Sequence, residues 1–338
     1  MSPDGTARRS RLEGLEGDPD RPLLMFLGDG IDDEDHDILF PALERLGVRV
    51  IRVHPADLVT RLDREGATFS VAGRRIRPDL VVGWVLGELL RPGMAQLDVL
   101  QRAGVPVIND ALTLLRAQNK YTNSATLAAG GALRFPVLVG RDDDALLDWV
   151  TELDGPVVIK PTVGFGGRGL LRLDGVEDAR RFLGELAEDE LYYAVPWIDN
   201  PGRDIRVYVI NHHPVFAMYR YAPEGKWITN VLAGGRIAMC PLTEEIAELA
   251  TTASRAARTL IGGVDIAENL ATGELVVYEA NSCPTCEPPA LAELAGFLAA
   301  AARDLDEALR TWRPDTVYTD YDPDPALFHE SKRAQMKR

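Results

Sequence analysis

Short apolar runs alternate with helical segments over residues 22–118, and this alternation constrains the fold more than any other feature of the chain. PLLMFLGDG is an apolar run closed by turn residues, which predicts a buried strand, and VRVIRV, PDLVVGWVLGELL and VPVIND predict three more. HDILFPALERLG and GMAQLDVLQRAG predict helices, and the second carries Met94, Leu97 and Leu100 on one face. Strands that alternate with helices predict a parallel sheet covered by helices. No G-x-G-x-x-G follows the first strand, so the dinucleotide-binding fingerprint is absent.

The pattern changes after residue 118. LTLLRAQNKYTNSATLAAGG predicts one helix that ends at a glycine pair. A tight glycine loop, TVGFGGRG, separates the strands PVVIKP and LLRL, which predicts antiparallel neighbours. DIRVYVI and PVFAMYRYA predict a hairpin, and VDIAEN and ELVVYEAN predict two further strands joined by LATG. TEEIAELATTASRAARTLIGG predicts a long helix, and one final helix is expected over residues 290–310.

The expected fold class is therefore mixed α/β, with a parallel N-terminal domain followed by two units built on antiparallel sheets. The predicted divisions, in chain order, are a polar tail (1–21), an α/β domain (22–118), a small unit with the glycine loop (119–198), a C-terminal unit (199–312) and a polar tail (313–338).

Composition excludes several classes of protein. The 338 residues carry a net charge of −15, which argues against a nucleic-acid binder because such proteins need a basic face for phosphates. No apolar run approaches the roughly 18 residues of a membrane span, and the N-terminus lacks the apolar core of a secretory signal. Three cysteines do not form a disulfide framework. We expect a cytoplasmic protein with no membrane partner.

A lysine and a glycine-rich loop predict a phosphate site. Lys160 ends an apolar strand, and the loop that follows contains Gly164, Gly166, Gly167 and the basic Arg168. Glycines let backbone N–H groups approach phosphate oxygens closely, and a lysine adds a positive charge. The loop is not a Walker A motif because no Lys-Ser/Thr follows the glycines. A hairpin turn that merely contains glycines is the alternative interpretation.

Three oxygen-bearing side chains predict a metal site. Glu279 and Asn281 are two residues apart on one strand and therefore share a face, and Asp265 lies in the preceding strand. If these strands pair, the three side chains converge, and hard oxygen ligands suit Mg²⁺ that bridges nucleotide phosphates. The alternative is a set of polar strand ends. Arg206 and Arg220 lie between the two constellations and can clamp a carboxylate or phosphoryl group, or can be surface residues.

Taken in this order, the motifs resemble those of ATP-grasp enzymes, and most closely the RimK-like α-L-glutamate ligases and glutathione-synthetase-like carboxylate–amine ligases. The resemblance runs from about Leu23 to Leu309. The motifs that carry it are NK at 119–120, IKPTVGFGGRG, DIRVYVI, YRYA, WITNVLAGG, GVDIAEN and YEANSCP. It implies an N-terminal pre-ATP-grasp domain and two antiparallel subdomains that sandwich ATP.

The resemblance also implies roles for individual residues. Lys120 and Lys160 match lysines that contact ATP phosphates, and the glycine loop matches the flap above them. Asp265, Glu279 and Asn281 match the ligands of two Mg²⁺ ions, which Mn²⁺ can replace. The remaining matched residues face phosphate or substrate: Arg206, Arg220 and Asn230. The hinge that reads adenine departs from the family pattern, so we assign it to backbone groups of Val195 and Trp197, with Asp199 for the ribose.

A second departure concerns the cysteines. Cys283 stands where the family has serine, and Cys286 has no counterpart. C-x-x-C supplies only two of the roughly four ligands of a zinc site. A metal or redox site, a wall of the substrate pocket and plain packing all remain open for this pair.

The implied function is an ATP-dependent carboxylate–amine ligase that acts through an acylphosphate. It would join a glutamate-like amino acid to an amino acid, a peptide or a protein, and we expect a homo-oligomer, either a dimer or a tetramer. An ATP-grasp phosphotransferase and a non-catalytic nucleotide-binding module are the alternatives.

Overall fold

The computed structural model describes residues 10–30, 32–164, 167–229 and 235–317. The N-terminal part contains these elements: β1 (Leu23–Gly28), α1 (Asp33–Arg45), β2 (Arg49–Val53), β3 (Val59–Asp63), β4 (Gly66–Val71), β5 (Arg74–Ile76), β6 (Leu80–Trp84), α2 (Leu90–Arg102) and β7 (Val107–Ile108). The order β2-β1-β6-β7 forms a four-stranded sheet in which every pair is parallel, which confirms the sequence prediction. All residues of β1 and β6 are buried, as expected of strands that are covered on both faces.

The sequence analysis missed a small antiparallel sheet in this part, with the order β3-β4-β5. All residues of β3 except Thr60 are exposed, so the strand lacks the apolar alternation that marks a half-buried strand. Gly66, the first residue of β4, and Gly73, in the turn after it, both have positive φ.

The predicted helix after residue 111 is instead two helices, α3 (Ala111–Gln118) and α4 (Lys120–Ala129). Asn119 separates them with an extended backbone, and its side chain accepts a hydrogen bond from the Thr122 N–H as the N-cap of α4. The break has a tertiary cause: Asn119 forms a β-bridge with Val163, and the Lys120 N–H donates to the Thr162 carbonyl at 2.7 Å. The glycine loop thus anchors the start of α4.

The second sheet has the order β10-β9-β11-β8 and only antiparallel pairs. Its elements are β8 (Leu138–Gly140), α5 (Asp143–Leu153), β9 (Val157–Lys160), β10 (Leu171–Leu173), α6 (Val176–Glu185) and β11 (Tyr192–Pro196). The pair β9 and β10 confirms that the strands flanking the glycine loop are antiparallel neighbours. Apolar residues of α5 and α6 form one buried cluster with this sheet.

The third sheet has the order β14-β13-β12-β15-β16 and is also antiparallel. Its part of the chain contains β12 (Arg203–Ile210), β13 (His213–Tyr221), β14 (Arg236–Met239), α7 (Glu244–Ala257), β15 (Ile261–Glu268), β16 (Leu275–Asn281), α8 (Pro288–Ala301) and α9 (Leu305–Thr311). Both predicted hairpins are present, whereas β14 was not predicted.

Two predicted helix lengths were wrong. α7 was expected to reach Gly263, but Arg258 adopts a left-handed conformation and ends it, and the apolar residues beyond begin β15. The final helix was expected to be continuous, but Asp304 is extended and caps a new helix through the Glu307 N–H. In the part of the chain that the structure describes, no helix is long and apolar enough to cross a membrane.

Candidate active site

Residues from the second and third sheets line one cleft of about 890 Å³, a volume that includes space open to solvent. Among the predicted residues, the lining includes Lys120, Lys160, Gly164, Gly167, Arg168, Val195, Trp197, Arg220, Asp265 and Glu279. The folded chain therefore brings both predicted constellations, the phosphate site and the metal site, into one cleft.

The two lysines approach the cleft from different elements. Lys160 is the last residue of β9, and its ammonium lies 4.9 Å from the centroid of the Tyr278 ring. Lys120 begins α4, and its Nζ lies 2.9 Å from Glu279 Oε2 and 3.5 Å from the Gly164 carbonyl oxygen. Lys120 therefore contacts the glycine loop and the predicted metal ligand Glu279 at the same time.

The three predicted metal ligands converge because β15 and β16 pair with Asp265 opposite Glu279. The Asn281 amide nitrogen donates to Glu279 Oε1 at 3.3 Å and to Asp265 Oδ2 at 3.4 Å. Two carboxylates and one amide oxygen are the hard ligands that Mg²⁺ prefers, so this set fits the ion once the amide turns its oxygen inward. Among the described residues, no three His, Cys, Asp or Glu side chains form a metal cluster, so the set depends on Asn281.

Two arginines neutralise the carboxylates of the third sheet. Arg220 on β13 forms a bidentate pair with Asp204, at 2.7 and 2.8 Å, and also lies 3.0 Å from Asp265 Oδ2. Arg206 on β12 lies opposite Asp265 in the β12–β15 register and also pairs with it. Thr229 donates a further hydrogen bond to Asp204 at 2.7 Å. The two lysines and two arginines outnumber the three carboxylates Asp204, Asp265 and Glu279, and Arg168 in the cleft lining adds a further positive charge.

This charge balance shifts the pKa values of the titratable groups. Burial acts to raise the pKa of Glu279, but the positive charges of Lys120, Lys160 and Arg206 together outweigh it and hold the pKa at about 2. Pairing with Glu279 raises the pKa of Lys120. Burial lowers the pKa of Lys160 to about 8, because Glu279 and Asp265 only partly offset the loss of solvation. Lys160 is thus the cation that most needs an anionic partner.

Aromatic side chains form the apolar side of the cleft. Trp197 and Trp227 pack edge to face with ring centroids 5.4 Å apart, and the Arg172 guanidinium stacks on Trp197 at 4.3 Å. The Trp197 N–H already donates to the Pro156 carbonyl at 2.8 Å, so of its backbone groups only the carbonyl is left to contact a ligand. Asp199 does not line the cleft, whereas its neighbour Asn200 does.

Several predicted residues lie outside this lining. Gly166 and Asn230 lie outside the described residues. Arg206 and Asn281 are not among the lining residues, although they donate hydrogen bonds to Asp265 and Glu279 respectively. The structure also supplies residues that sequence reasoning did not single out, namely Asp204, Trp227, Thr229 and Tyr278. Asp204 begins the DIRVYVI motif, and an aspartate two residues before a candidate arginine was the available signal.

Cys283 and Cys286 are free thiols buried in the apolar cluster that joins β1 and β6 to α8. Cys283 Sγ lies 3.5 Å from Gln118 Nε2, and the Cys286 N–H donates to Asp35 at 2.8 Å. Burial raises the pKa of the Cys283 thiol to about 12. These surroundings favour packing over metal binding for this pair.

Comparison with known proteins places the chain in a family. The model of the RimK-like ATP-grasp domain matches residues 117–290, just over half of the chain. The tetrahydromethanopterin:alpha-L-glutamate ligase of Methanosarcina acetivorans is 33% identical over 181 residues, which cover 50% of this chain and 56% of the relative. The alpha-aminoadipate–LysW ligase LysX of Saccharolobus solfataricus is 31% identical over 192 residues, which cover 55% of this chain and 69% of the relative.

Solved structures resemble the chain over a larger part of its length. The ATP-grasp ligase PsnB, in complex with a minimal precursor, has a TM-score of 0.66 at 20% identity and covers 84% of this chain and 99% of its own. D-cycloserine synthetase DcsG has a TM-score of 0.64 at 19% identity, and the match covers 83% of this chain and 99% of the synthetase. At these identities the likeness concerns the fold, whereas the family match rests on sequence. The chain belongs to the RimK-like ATP-grasp family.

Proposed function

We propose that this protein is an ATP-dependent carboxylate–amine ligase. The observation that carries the proposal is the convergence of Lys120, Lys160 and Arg220 with Asp265 and Glu279 in one cleft between two antiparallel sheets. The positively charged side chains can bind the phosphate groups of a triphosphate, and the adjacent carboxylate oxygens can bind the metal ions that accompany it. Relatives named as amino-acid ligases agree with this activity.

The reaction has two chemical steps. A substrate carboxylate oxygen attacks the γ-phosphorus of ATP, and the bond between this phosphorus and the bridging oxygen of the β-phosphate breaks. ADP departs, and the substrate becomes an acylphosphate. An amine then attacks the acyl carbon, loses a proton and expels inorganic phosphate, which forms the amide. Phosphoryl transfer of this kind depends on positioning and charge neutralisation rather than on a nucleophilic side chain.

The cleft residues would perform that positioning. Lys120 and Lys160 would hold phosphate oxygens, and the glycine loop would cover them. Arg206, Arg220 and Asn230 would face the transferring phosphoryl group and the substrate carboxylate. Asp265, Glu279 and Asn281 would hold two Mg²⁺ ions, or Mn²⁺, which offset phosphate charge.

The proposed substrates are a glutamate-like amino acid and the amine of an amino acid, peptide or protein. The matched segment spans 56% and 63% of the first two curated relatives, so the substrates of those relatives are not assigned to this chain. The predicted cytoplasmic location and homo-oligomeric state stay predictions.

Phosphate release tests the proposal. Purified protein with ATP and Mg²⁺ is incubated with amino acids and dipeptides, singly and in pairs, and active mixtures are analysed by mass spectrometry. A ligase releases phosphate only when both carboxylate and amine are present, and the product has the combined mass minus water. A phosphorylated substrate that accumulates without free phosphate would identify a phosphotransferase instead.

A further inference from the structure

The strand that carries two of the predicted metal ligands, β16, lies at the edge of the third sheet. Within the described residues, no further strand pairs with its outer side. An edge strand presents backbone N–H and C=O groups that the sheet does not satisfy, and these groups cost free energy when they are buried without a partner. Glu279 and Asn281 stand at the C-terminal end of this strand. A group outside the sheet must therefore hold that end in place.

Asn123 on α4 holds β16 at the residue between these two ligands. Its amide oxygen accepts a hydrogen bond from the Ala280 N–H at 3.2 Å, and its amide nitrogen donates to the Ala280 carbonyl at 2.9 Å. One side chain thus satisfies both backbone groups of a fully buried residue, as a neighbouring strand would. The amide nitrogen also donates to the Ala117 carbonyl of α3 at 3.3 Å. The reverse amide orientation would place two donors against each other at Ala280, so this network fixes the side chain.

A second buried asparagine holds the chain on the other side of Asn281. Asn109 follows β7, and its amide nitrogen donates to the Ser282 and Ile261 carbonyls, both at 2.8 Å. Its amide oxygen accepts from the Leu260 N–H at 2.9 Å. Asn109 therefore ties the residue after β16 to the start of β15. Asn281 thus lies between two residues whose backbone groups are held by asparagine side chains.

The helix that carries Asn123 also contacts the other ligand of the strand. Lys120 and Asn123 are three residues apart on α4 and therefore share a face of the helix. From that face Lys120 contacts Glu279, and Asn123 contacts the next residue of β16. The first residue of α4 is in turn bonded to the glycine loop through the Thr162 carbonyl. The helix thus fixes the metal ligands relative to the proposed phosphate site.

We propose that Asn123 is a positioning residue of the metal site. It holds Glu279 and Asn281 at the spacing that a divalent ion requires, and Asn109 supports the same end of the strand. The inference rests on the proposed function, because that function makes the two β16 residues ligands. Mg²⁺ demands near-octahedral geometry with short bonds to oxygen, so a small displacement of β16 weakens its binding. Groups that orient metal ligands contribute about tenfold to a hundredfold to metal affinity.

Variants of α4 can separate this role from a contribution to stability alone. The test protein is Asn123→Ala, which leaves the Ala280 N–H and C=O groups without their partner. The matched control is Ser124→Ala, at the next residue of the same helix. Ser124 is buried to a similar degree, but its hydroxyl hydrogen-bonds to the Tyr193 hydroxyl at 2.7 Å instead of to β16. Thermal melts verify that the variants fold, and Asn123→Ser replaces Asn123→Ala if the alanine variant does not.

Two measurements that need no turnover apply to each protein. Hydrogen-exchange mass spectrometry of residues 275–283 shows how firmly the strand is held, and electron paramagnetic resonance of free Mn²⁺ gives the metal affinity without nucleotide. In Asn123→Ala the segment should exchange faster than in the wild type, and Mn²⁺ affinity should fall about tenfold or more. Ser124→Ala should match the wild type in both measurements.

The Glu279→Ala variant distinguishes failure of this inference from failure of the proposed function. If Glu279→Ala loses Mn²⁺ while Asn123→Ala binds it as the wild type does, the positioning role is wrong and the metal site stands. Equal losses of affinity in Asn123→Ala and Ser124→Ala would also overturn the positioning role, because they would reflect a general loosening of α4. Mn²⁺ binding that survives in Glu279→Ala, or that is absent from the wild type, would refute the proposed metal site and the positioning role with it.

Discussion

Replacing Lys120 with methionine should make the protein bind divalent metal ions more tightly in the absence of nucleotide. Lys120 Nζ lies 2.9 Å from Glu279 Oε2, and the two side chains are 18% and 25% exposed. A metal ion that uses Glu279 must first displace this ammonium and is also repelled by it. The arginines on Asp265 remain in the variant, so the change isolates one competitor for one ligand.

The contact sets the expected size of the effect. A hydrogen bond to a charged group contributes about 1.5–3 kcal/mol, so its removal should favour the metal by that amount. Since about 1.4 kcal/mol corresponds to a tenfold change in an equilibrium constant, Mn²⁺ affinity should rise about tenfold to a hundredfold. The same variant should lose ATP affinity by a similar factor, because Lys120 is proposed to hold a phosphate.

Electron paramagnetic resonance of free Mn²⁺ measures this affinity without any turnover. Lys226→Met, a change at an exposed lysine, is the matched control and should behave as wild type. Adding Glu279→Gln to Lys120→Met should remove the gain, because the ligand itself is then lost. If Lys120→Met binds Mn²⁺ no more tightly than wild type, with thermal melts showing both folded, then Lys120 does not compete with the metal and the reasoning fails.

The remaining predictions concern other residues of the site and the cysteines. Glu279→Ala should abolish turnover with the fold intact, and near-normal turnover at saturating ATP and Mg²⁺ would refute its role as a ligand. ATP affinity should fall as pH rises through about 8, because Lys160 then loses its charge, and Lys160→Arg should abolish this fall. The free energy of unfolding should rise over the same pH range, since the lysine of the unfolded chain keeps its proton to higher pH than the folded one does. Asp204→Asn should lower the free energy of unfolding by about 3–5 kcal/mol, the scale for breaking a buried ion pair, as read from denaturant titration. Cys283→Ser should retain ATP-dependent activity, and elemental analysis should find no stoichiometric zinc in the wild type; zinc that is lost in this variant would contradict the packing interpretation.

Sequence reasoning worked where the signal was local or periodic. The parallel sheet followed from the apolar runs of β1, β2 and β6, because strands buried on both faces have few polar positions. The convergence of Asp265 with Glu279 followed from strand periodicity and a short turn, and the pairing of β15 with β16 has that register. Sequence reasoning did not find β3, whose side chains are mostly exposed. It also missed the break at Asn119, because the helical pattern continues on both sides of that residue.

The sequence by itself determined the alternation of elements, the glycine loop that follows Lys160 and the spacing of Glu279 and Asn281, because each depends on residues that are near neighbours in the chain. The tertiary structure decided how the charges are paired. Lys120 meets Glu279 across 159 positions of sequence, and Arg220 is shared between Asp204 and Asp265 because β12 separates β13 from β15 in the sheet. No local pattern encodes such pairs. Their partners and pKa values depend on distance and burial, which exist only once the sheets have assembled around the cleft.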